Sequence, residues 1–316
     1  MKRATGPRNR IVGAIAAVTL VSVVTACGGS TGDTAASSAP SEKIQEIADL
    51  VPPSIAETGT LKIAAAAYAP AVIAPLSGSS MPTGFDADMA TAVAGILGLK
   101  PEYSMIPFDG IITGLQAQRY DLAVGDIGIN DERLETVSFV LNHTTRDLLV
   151  VPPASTLPAS ISTEVEACGL TVGAVRGSQE AAVLDKIQAA CEAAGKTFTA
   201  KTFQDQATVN LAVQQGRIDA NLTDEGTAGL LVEQSPDEFK AVEVGFVPLL
   251  PTGFALPNND NTAAMTEAIS EALDHLIESG DYAEITGKYF KDGDKGQVEA
   301  AEVYSRIVDG AKKTTK

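Results

Sequence analysis

Arg133 closes the run Gly125-Asp126-Ile127-Gly128-Ile129-Asn130-Asp131-Glu132-Arg133, in which a guanidinium follows a short apolar strand and a glycine-containing turn. A guanidinium is a planar fork that donates two parallel hydrogen bonds to a carboxylate. Backbone N–H groups of the turn add donors to the same anion. These residue types describe a site that holds a carboxylate. The plainer alternative is a surface ion pair of Arg133 with Glu132 or Glu135, which contributes little. Other chemistry is poorly supplied. His143 and His275 are the only histidines, no CxxC occurs, and neither GxSxG nor HExxH is present, so common hydrolases and structural zinc sites are not expected. Gly287-Lys288 lacks the upstream glycine spacing of a P-loop, and Asp292-Gly293-Asp294 lacks the later ligands of a calcium loop. No cofactor, metal or catalytic residue is assigned.

The elements that must position Arg133 alternate along the chain. Strands are expected at 61–67, 100–106 and 121–125, with helices at 86–97 and 109–117 between them. An extended run at 146–151 ends in Pro152-Pro153. A second block follows with strands at 170–175, 197–203, 219–222 and 240–244, and helices at 178–194, 206–215 and 225–234. A further extended stretch, 247–256, precedes helices at 262–279 and 282–289 and a charged tail with a short helix near 299–309. This order predicts an α/β chain with mainly parallel sheets. It divides into lobe 1 (58–150 plus 252–316) and lobe 2 (151–251), joined by two extended crossings that form a hinge. Ligands of such folds bind at the carboxyl ends of the strands, and hinge closure around them is an established motion.

Before this body, Lys2, Arg3, Arg8 and Arg10 precede an apolar, Ala-rich run to Ala26, which reads as an export signal over residues 1–26. Its end, Val24-Thr25-Ala26-Cys27-Gly28, resembles a bacterial lipoprotein signal with Cys27 as the lipidated residue; an ordinary cleaved signal with an incidental cysteine is the alternative. Residues 27–57 are read as a lipid-anchored tether, small and polar at first, with a short helix. Removing the four basic residues of the signal takes the formal charge from −17 to −21. So acidic a body should avoid nucleic acid and anionic lipid. In an exported protein Cys168 and Cys191 are expected to pair; two buried free thiols are the alternative.

Several ordered motifs carry a family likeness: Gly59-Thr60-Leu61-Lys62-Ile63, Tyr68-Ala69-Pro70, Gly84-Phe85-Asp86-Ala87-Asp88-Met89, Asn130-Asp131-Glu132-Arg133, Gly177-Ser178-Gln179-Glu180, Gly216-Arg217-Ile218-Asp219-Ala220-Asn221-Leu222-Thr223-Asp224, and Gly280-Asp281-Tyr282-Ala283-Glu284-Ile285. Together they resemble the extracytoplasmic solute-binding proteins of ABC transporters that bind polar amino acids, family 3. The resemblance implies a two-lobe, periplasmic-binding-protein-like (type II) fold with a two-strand hinge. It also implies a monomer on the outer face of the cell membrane, with an amino-acid ligand and a transporter permease as partners. By that likeness Arg133 and the N–H of Gly128 hold the α-carboxylate, and Gly177 and Ser178 offer the N-terminus of a lobe-2 helix. Asp224 takes the α-ammonium, and Tyr68 and Phe108 flank the ligand side chain. Each has a purely structural alternative: Ser178 and Asp224 as helix caps, Tyr68 and Phe108 as core aromatics.

Two departures matter. Members that hold cationic side chains commonly carry an aspartate three residues before the tyrosine, where this chain has Ala65, and Asp126 stands where small residues are usual. Asp126 is therefore a candidate second carboxylate for the ligand. The loop Ser77-Gly78-Ser79-Ser80 is a candidate reshaper of the cleft rim. The rival functions are a secreted cyclohexadienyl (prephenate or arogenate) dehydratase-like enzyme, with Asp126 or Asp224 as general acid, and a solute-sensing module.

Overall fold

The computed structural model describes residues 41–76, 79–290 and 296–312, all within one compact unit, Ser38–Lys316. The export signal, Cys27 and the first part of the tether lie outside the described residues, as do Ser77 and Gly78. Two short helices, α1 (Gln45–Ala48) and α2 (Pro53–Ala56), come first. They are not tether. Ile44, Ile47, Val51 and Ile55 recur at intervals of three or four, and Val51 and Ile55 are buried in the lobe-1 core. The segment is pinned further by the Ile44 N–H, which donates to the Ile96 carbonyl at 3.0 Å.

Lobe 1 continues with β1 (Thr60–Ala65), α3 (Phe85–Ile96), β2 (Lys100–Met105), α4 (Ile111–Gln116), β3 (Leu122–Val124), α5 (Asp131–Leu134) and β4 (Val137–Thr145). The chain then enters lobe 2 with β5 (Asp147–Val151), β6 (Ser160–Ile161), β7 (Thr171–Val175), α6 (Gln179–Ala193), β8 (Thr199–Phe203), α7 (Gln206–Gln214), β9 (Ala220–Asp224), α8 (Glu225–Gln234) and β10 (Lys240–Val244). It returns to lobe 1 through β11 (Leu250–Pro257), α9 (Thr262–Ser279), α10 (Asp281–Gly287) and β12 (Glu302–Tyr304).

Each lobe is built on a six-stranded sheet, in the order β12-β4-β11-β3-β1-β2 for lobe 1 and β6-β10-β5-β9-β7-β8 for lobe 2. Both contain a parallel trio, β2-β1-β3 and β8-β7-β9, followed by one antiparallel strand. Both faces of the lobe-1 trio are buried, which parallel strands require. Ile63, Leu122 and Val124 face a core shared with Met89, Ile269 and Leu273, while Ala64 and Ala123 face Ile111 and Leu115. In lobe 2, Cys168 and Cys191 form a disulfide that ties the start of the sheet to α6.

The first crossing is a single residue, Arg146, between β4 and β5; the second is residues 245–249, between β10 and β11. The expected boundary at 150/151 is therefore too late. Asp147–Val150 pair with β9 in lobe 2, Asp147 opposite Asp224, and the prolines at 152 and 153 end a strand rather than mark the crossing. The expected helix near 299–309 is also replaced. Its residues 302–304 add β12 to the open edge of β4, where the Ser305 and Ser138 hydroxyls meet at 2.7 Å. Among the described residues no helix is long and apolar enough to cross a membrane.

Candidate functional site

Asp86, in the first turn of α3, organises the lobe-1 side. Its carboxylate accepts from the N–H groups of Gly125 (3.1 Å) and Asp126 (2.8 Å) and from Nδ2 of Asn142 (2.6 Å). Those bonds fold the chain sharply as it leaves β3, with Gly125 at φ 138° and Asp126 at φ 55°, a left-handed conformation that aspartate tolerates better than most residues. The turn aims the Asp126 carboxylate at Nε2 of His143, 3.0 Å away, with both side chains buried. The imidazole also meets the Thr252 hydroxyl at 2.7 Å and packs edge-on against Phe85. Burial is the largest influence and lowers the His143 pKa; the charge and hydrogen bond of Asp126, with the Asp86 and Asp224 charges, together outweigh it and hold the pKa above its ordinary value.

Arg133 sits in α5, whose N-cap Asn130 accepts from the Arg133 N–H at 2.9 Å. The guanidinium is buried, not a surface ion pair. Glu135 and Asp131 instead contact Arg306, each at 3.1 Å. Nη1 donates to the Gly128 carbonyl at 2.6 Å and Nη2 crosses to lobe 2, donating to the Gly177 carbonyl at 2.9 Å. The Phe108 ring lies 5.8 Å from the guanidinium carbon, a cation–π distance. Gly128 has to be glycine while Gln179 keeps its place, because a Cβ there would fall 2.1 Å from Gln179 Oε1.

Lobe 2 meets these groups with helix starts. Ser178 caps α6, accepting from the Ala181 N–H at 3.3 Å, and Asp224 caps α8, accepting from the Thr227 N–H at 2.8 Å. Both capping alternatives are thus present in the structure, and the same residues lie at the seam between the lobes. Tyr68, buried and 5.9 Å from Phe108 between ring centres, places its hydroxyl 3.1 Å from Thr223 Oγ1 and 3.4 Å from Glu180 Oε1. Thr227 Oγ1 donates across the seam to the Ala69 carbonyl at 2.7 Å, and Arg176 lies 3.7 Å from Asp109. The lobes are closed on one another.

All eight residues expected from the sequence, Tyr68, Phe108, Asp126, Gly128, Arg133, Gly177, Ser178 and Asp224, border this seam. The structure adds two carboxylates that the sequence reading did not assign, Asp147 and Glu180. Asp147 is 1% exposed and neither carboxylate oxygen has a hydrogen-bond partner. Glu180, in the first turn of α6, is buried beside Tyr68. Burial, with Glu180, Asp224 and Asp126 adding to it, raises the Asp147 pKa well above the carboxylate range. Burial and then the Asp126 charge push Asp224 up to about 7, and burial raises Glu180 as well. Among the described residues no group of three acidic, histidine or cysteine side chains has the geometry to hold a metal ion. The sequence signal for Asp147 is a charged residue opening the apolar run Leu148–Val151; Glu180 closes the motif Gly177-Ser178-Gln179-Glu180.

A family model of the bacterial extracellular solute-binding proteins, family 3, matches residues 61–292. The chain belongs to that family. The arginine-binding protein ArgT of Corynebacterium glutamicum is 28% identical over 256 residues, covering 78% of this chain and 80% of its own. The lysine/arginine/ornithine-binding periplasmic protein of Escherichia coli is 26% identical over 212 residues, covering 66% and 78%. The solved structure of an ancestral arginine-binding protein bound to arginine superposes with a TM-score of 0.64 at 28% identity, over 73% of this chain and 98% of that one. The architecture is the two-lobe type II periplasmic-binding fold.

Proposed function

We propose that this chain is the solute receptor of an ABC importer and that its ligand is a cationic amino acid. One observation carries the ligand class. Asp126, Asp147, Glu180 and Asp224 are four carboxylates buried at the seam, against one guanidinium, Arg133, and one imidazole, His143. Buried charge without compensation is costly. A zwitterion adds no net charge to this balance, whereas a basic amino acid adds one positive charge. The family and the names of its relatives, which include arginine- and lysine/arginine/ornithine-binding proteins, support the same class.

In this account Arg133 exchanges its carbonyl contacts for the α-carboxylate, with the Gly128 N–H and the α6 start at Gly177 and Ser178 beside it. Asp224 and Asp126 hold the α-ammonium, and Tyr68 and Phe108 flank the aliphatic stem. Ligand contacts in both lobes exist only when the hinge is closed, so binding selects the closed state. Lipid attachment at Cys27, monomeric function on the outer face of the membrane and delivery to the permease belong to the same proposal.

A thermal-shift screen of the purified protein against the common amino acids and ornithine tests it. A folded-state ligand at a hundredfold excess over Kd stabilises by about 2.7 kcal/mol. Arginine, lysine or ornithine should raise Tm, and Arg133→Ala and Asp224→Ala should abolish the shift; silence with every amino acid would sink the proposal. The Asp224 pKa of about 7 favours one second reading, a general acid for a dehydratase. Prephenate carries two carboxylates, however, which this acidic seam repels. Phenylpyruvate release from prephenate, followed by absorbance, would support that enzyme.

A further inference from the structure

Asp224 stands between two regions. On one side is the seam of Tyr68, Arg133 and Glu180, bridged by hydrogen bonds between the lobes. On the other is a cavity of about 540 Å³, within the range of about 300–1,000 Å³ typical of small-molecule sites. Lobe 1 lines it with Phe85, His143 and Phe290, and lobe 2 with Leu148, Asp224 and the length of α8 from Glu225 to Glu233. Phe85 packs against both His143 (4.6 Å between ring centres) and Phe290 (5.0 Å), making one wall aromatic.

The opposite wall is opened by glycine. Gly226 and Gly229 are three residues apart in α8, hence on one helix face, and both line the cavity. Glycine is the poorest helix former after proline. At Gly229 a Cβ would meet nothing within 4 Å, so packing against a neighbour does not demand glycine there. At Gly226 a Cβ would stand 3.1 Å from the Phe290 ring and 3.0 Å from Asp224 Oδ1. The cavity is therefore mainly apolar and aromatic-walled, with the carboxylates of Asp224, Glu225 and Glu233 also lining it, and of these Asp224 belongs to the acidic seam as well.

We propose that this cavity is a subsite for an apolar substituent on the ligand nitrogen that Asp224 holds, so that the chain accepts N-alkylated amino acids whose secondary ammonium keeps its charge. The inference rests on the placement of the α-ammonium at Asp224 proposed above. An ammonium at the cavity mouth has Asp224 as its counter-ion, and the aromatic wall receives the attached group with its partial positive charge. An uncharged amide at the same nitrogen loses the ion pair while keeping the apolar group.

Isothermal titration calorimetry of the purified protein tests this with L-arginine, Nα-benzyl-L-arginine and Nα-benzoyl-L-arginine. The benzyl derivative should bind at least as tightly as L-arginine, and the uncharged benzoyl amide at least a hundredfold more weakly. Gly229→Leu, which fills the cavity and favours the helix, should weaken the benzyl derivative at least tenfold and leave L-arginine within twofold. Gly229→Ala, a single added methyl, gives a smaller effect of the same pattern should the leucine variant not fold. L-arginine binding while the benzyl derivative is excluded overturns the subsite alone. So does an equal response of both ligands to the glycine variants. Failure of every arginine compound, together with lysine and ornithine, removes the underlying ligand assignment and the subsite with it.

Discussion

The two lobes share a strand order but treat their buried polar groups differently. In lobe 1, Asp86 accepts three hydrogen bonds, and Asp126 faces His143, which is itself held by Thr252. Among the described residues five buried side-chain oxygens lack a hydrogen-bond partner. Four are in lobe 2, both oxygens of Asp147, Oε1 of Gln179 and Oδ1 of Asn221; the one in lobe 1, Oδ1 of Asp126, is left with the His143 imidazole as its ion-pair partner. Buried polar atoms are ordinarily paired, and exceptions call for a reason. The difference is one of degree: lobe 1 ties most of its buried polar groups to its own donors, and lobe 2 carries most of the polar capacity that a ligand can satisfy.

The comparison can be broken first at Asp86. Asp86→Ala strands two backbone N–H groups and one amide, and should destabilise the protein by about 3–5 kcal/mol in urea unfolding. A loss under about 1 kcal/mol would show that lobe 1 is not held this way.

The next largest effect is a pH dependence from lobe 2. Asp224 has a folded pKa of about 7 against an ordinary 3.8, so the unfolded chain gives up this proton more easily than the folded one. Its contribution is fully present below about pH 4 and is lost as pH rises through about 7, about 4 kcal/mol in all at about 1.4 kcal/mol per unit. Ligand-free protein should therefore have a lower Tm at pH 8 than at pH 5, and Asp224→Asn should flatten the difference. A Tm that rises over this range in the wild type would contradict the buried acidic cluster.

The disulfide sharpens the contrast at a smaller scale. Cys168 and Cys191 are 23 residues apart and both lie in lobe 2, so reduction should cost about 3 kcal/mol through the unfolded chain. Hydrogen exchange should report the loss in α6 and β7 and leave β1 and α3 protected. The smallest effect is expected at Asp147. Asp147→Asn removes a desolvated carboxylate and should stabilise the ligand-free protein by about 1–2 kcal/mol at pH 8, while weakening arginine binding about tenfold. Destabilisation instead would assign Asp147 to the scaffold.

Much of the frame was legible because element ends carry local marks. Ser178 and Asp224 announce helix starts by capping chemistry, and both do cap. Glycines and the periodic apolar runs set the parallel trios. Long-range pairing was not legible. In β4, Ser138, Asn142, His143 and Thr144 interrupt any apolar alternation, and only pairing with β11 and β12 makes the segment a strand. The tail residues 302–304 are a strand because the β4 edge is open, a fact no local pattern carries. Asp147 escaped for the same reason: its importance comes from Asp224 across the β5–β9 ladder, 77 positions away in sequence. Arg133 stands out in the sequence as a candidate, yet its two carbonyl contacts, one in each lobe, depend on Gly128 and Gly177 meeting across the cleft.

The most direct test of the cationic-ligand account is calorimetric titration with L-arginine and with L-citrulline, which has nearly the same shape without the side-chain charge. The account predicts that arginine binds at least a hundredfold more tightly, and that Asp224→Asn weakens arginine sharply. Equal affinity for the two, or preference for citrulline, would contradict it.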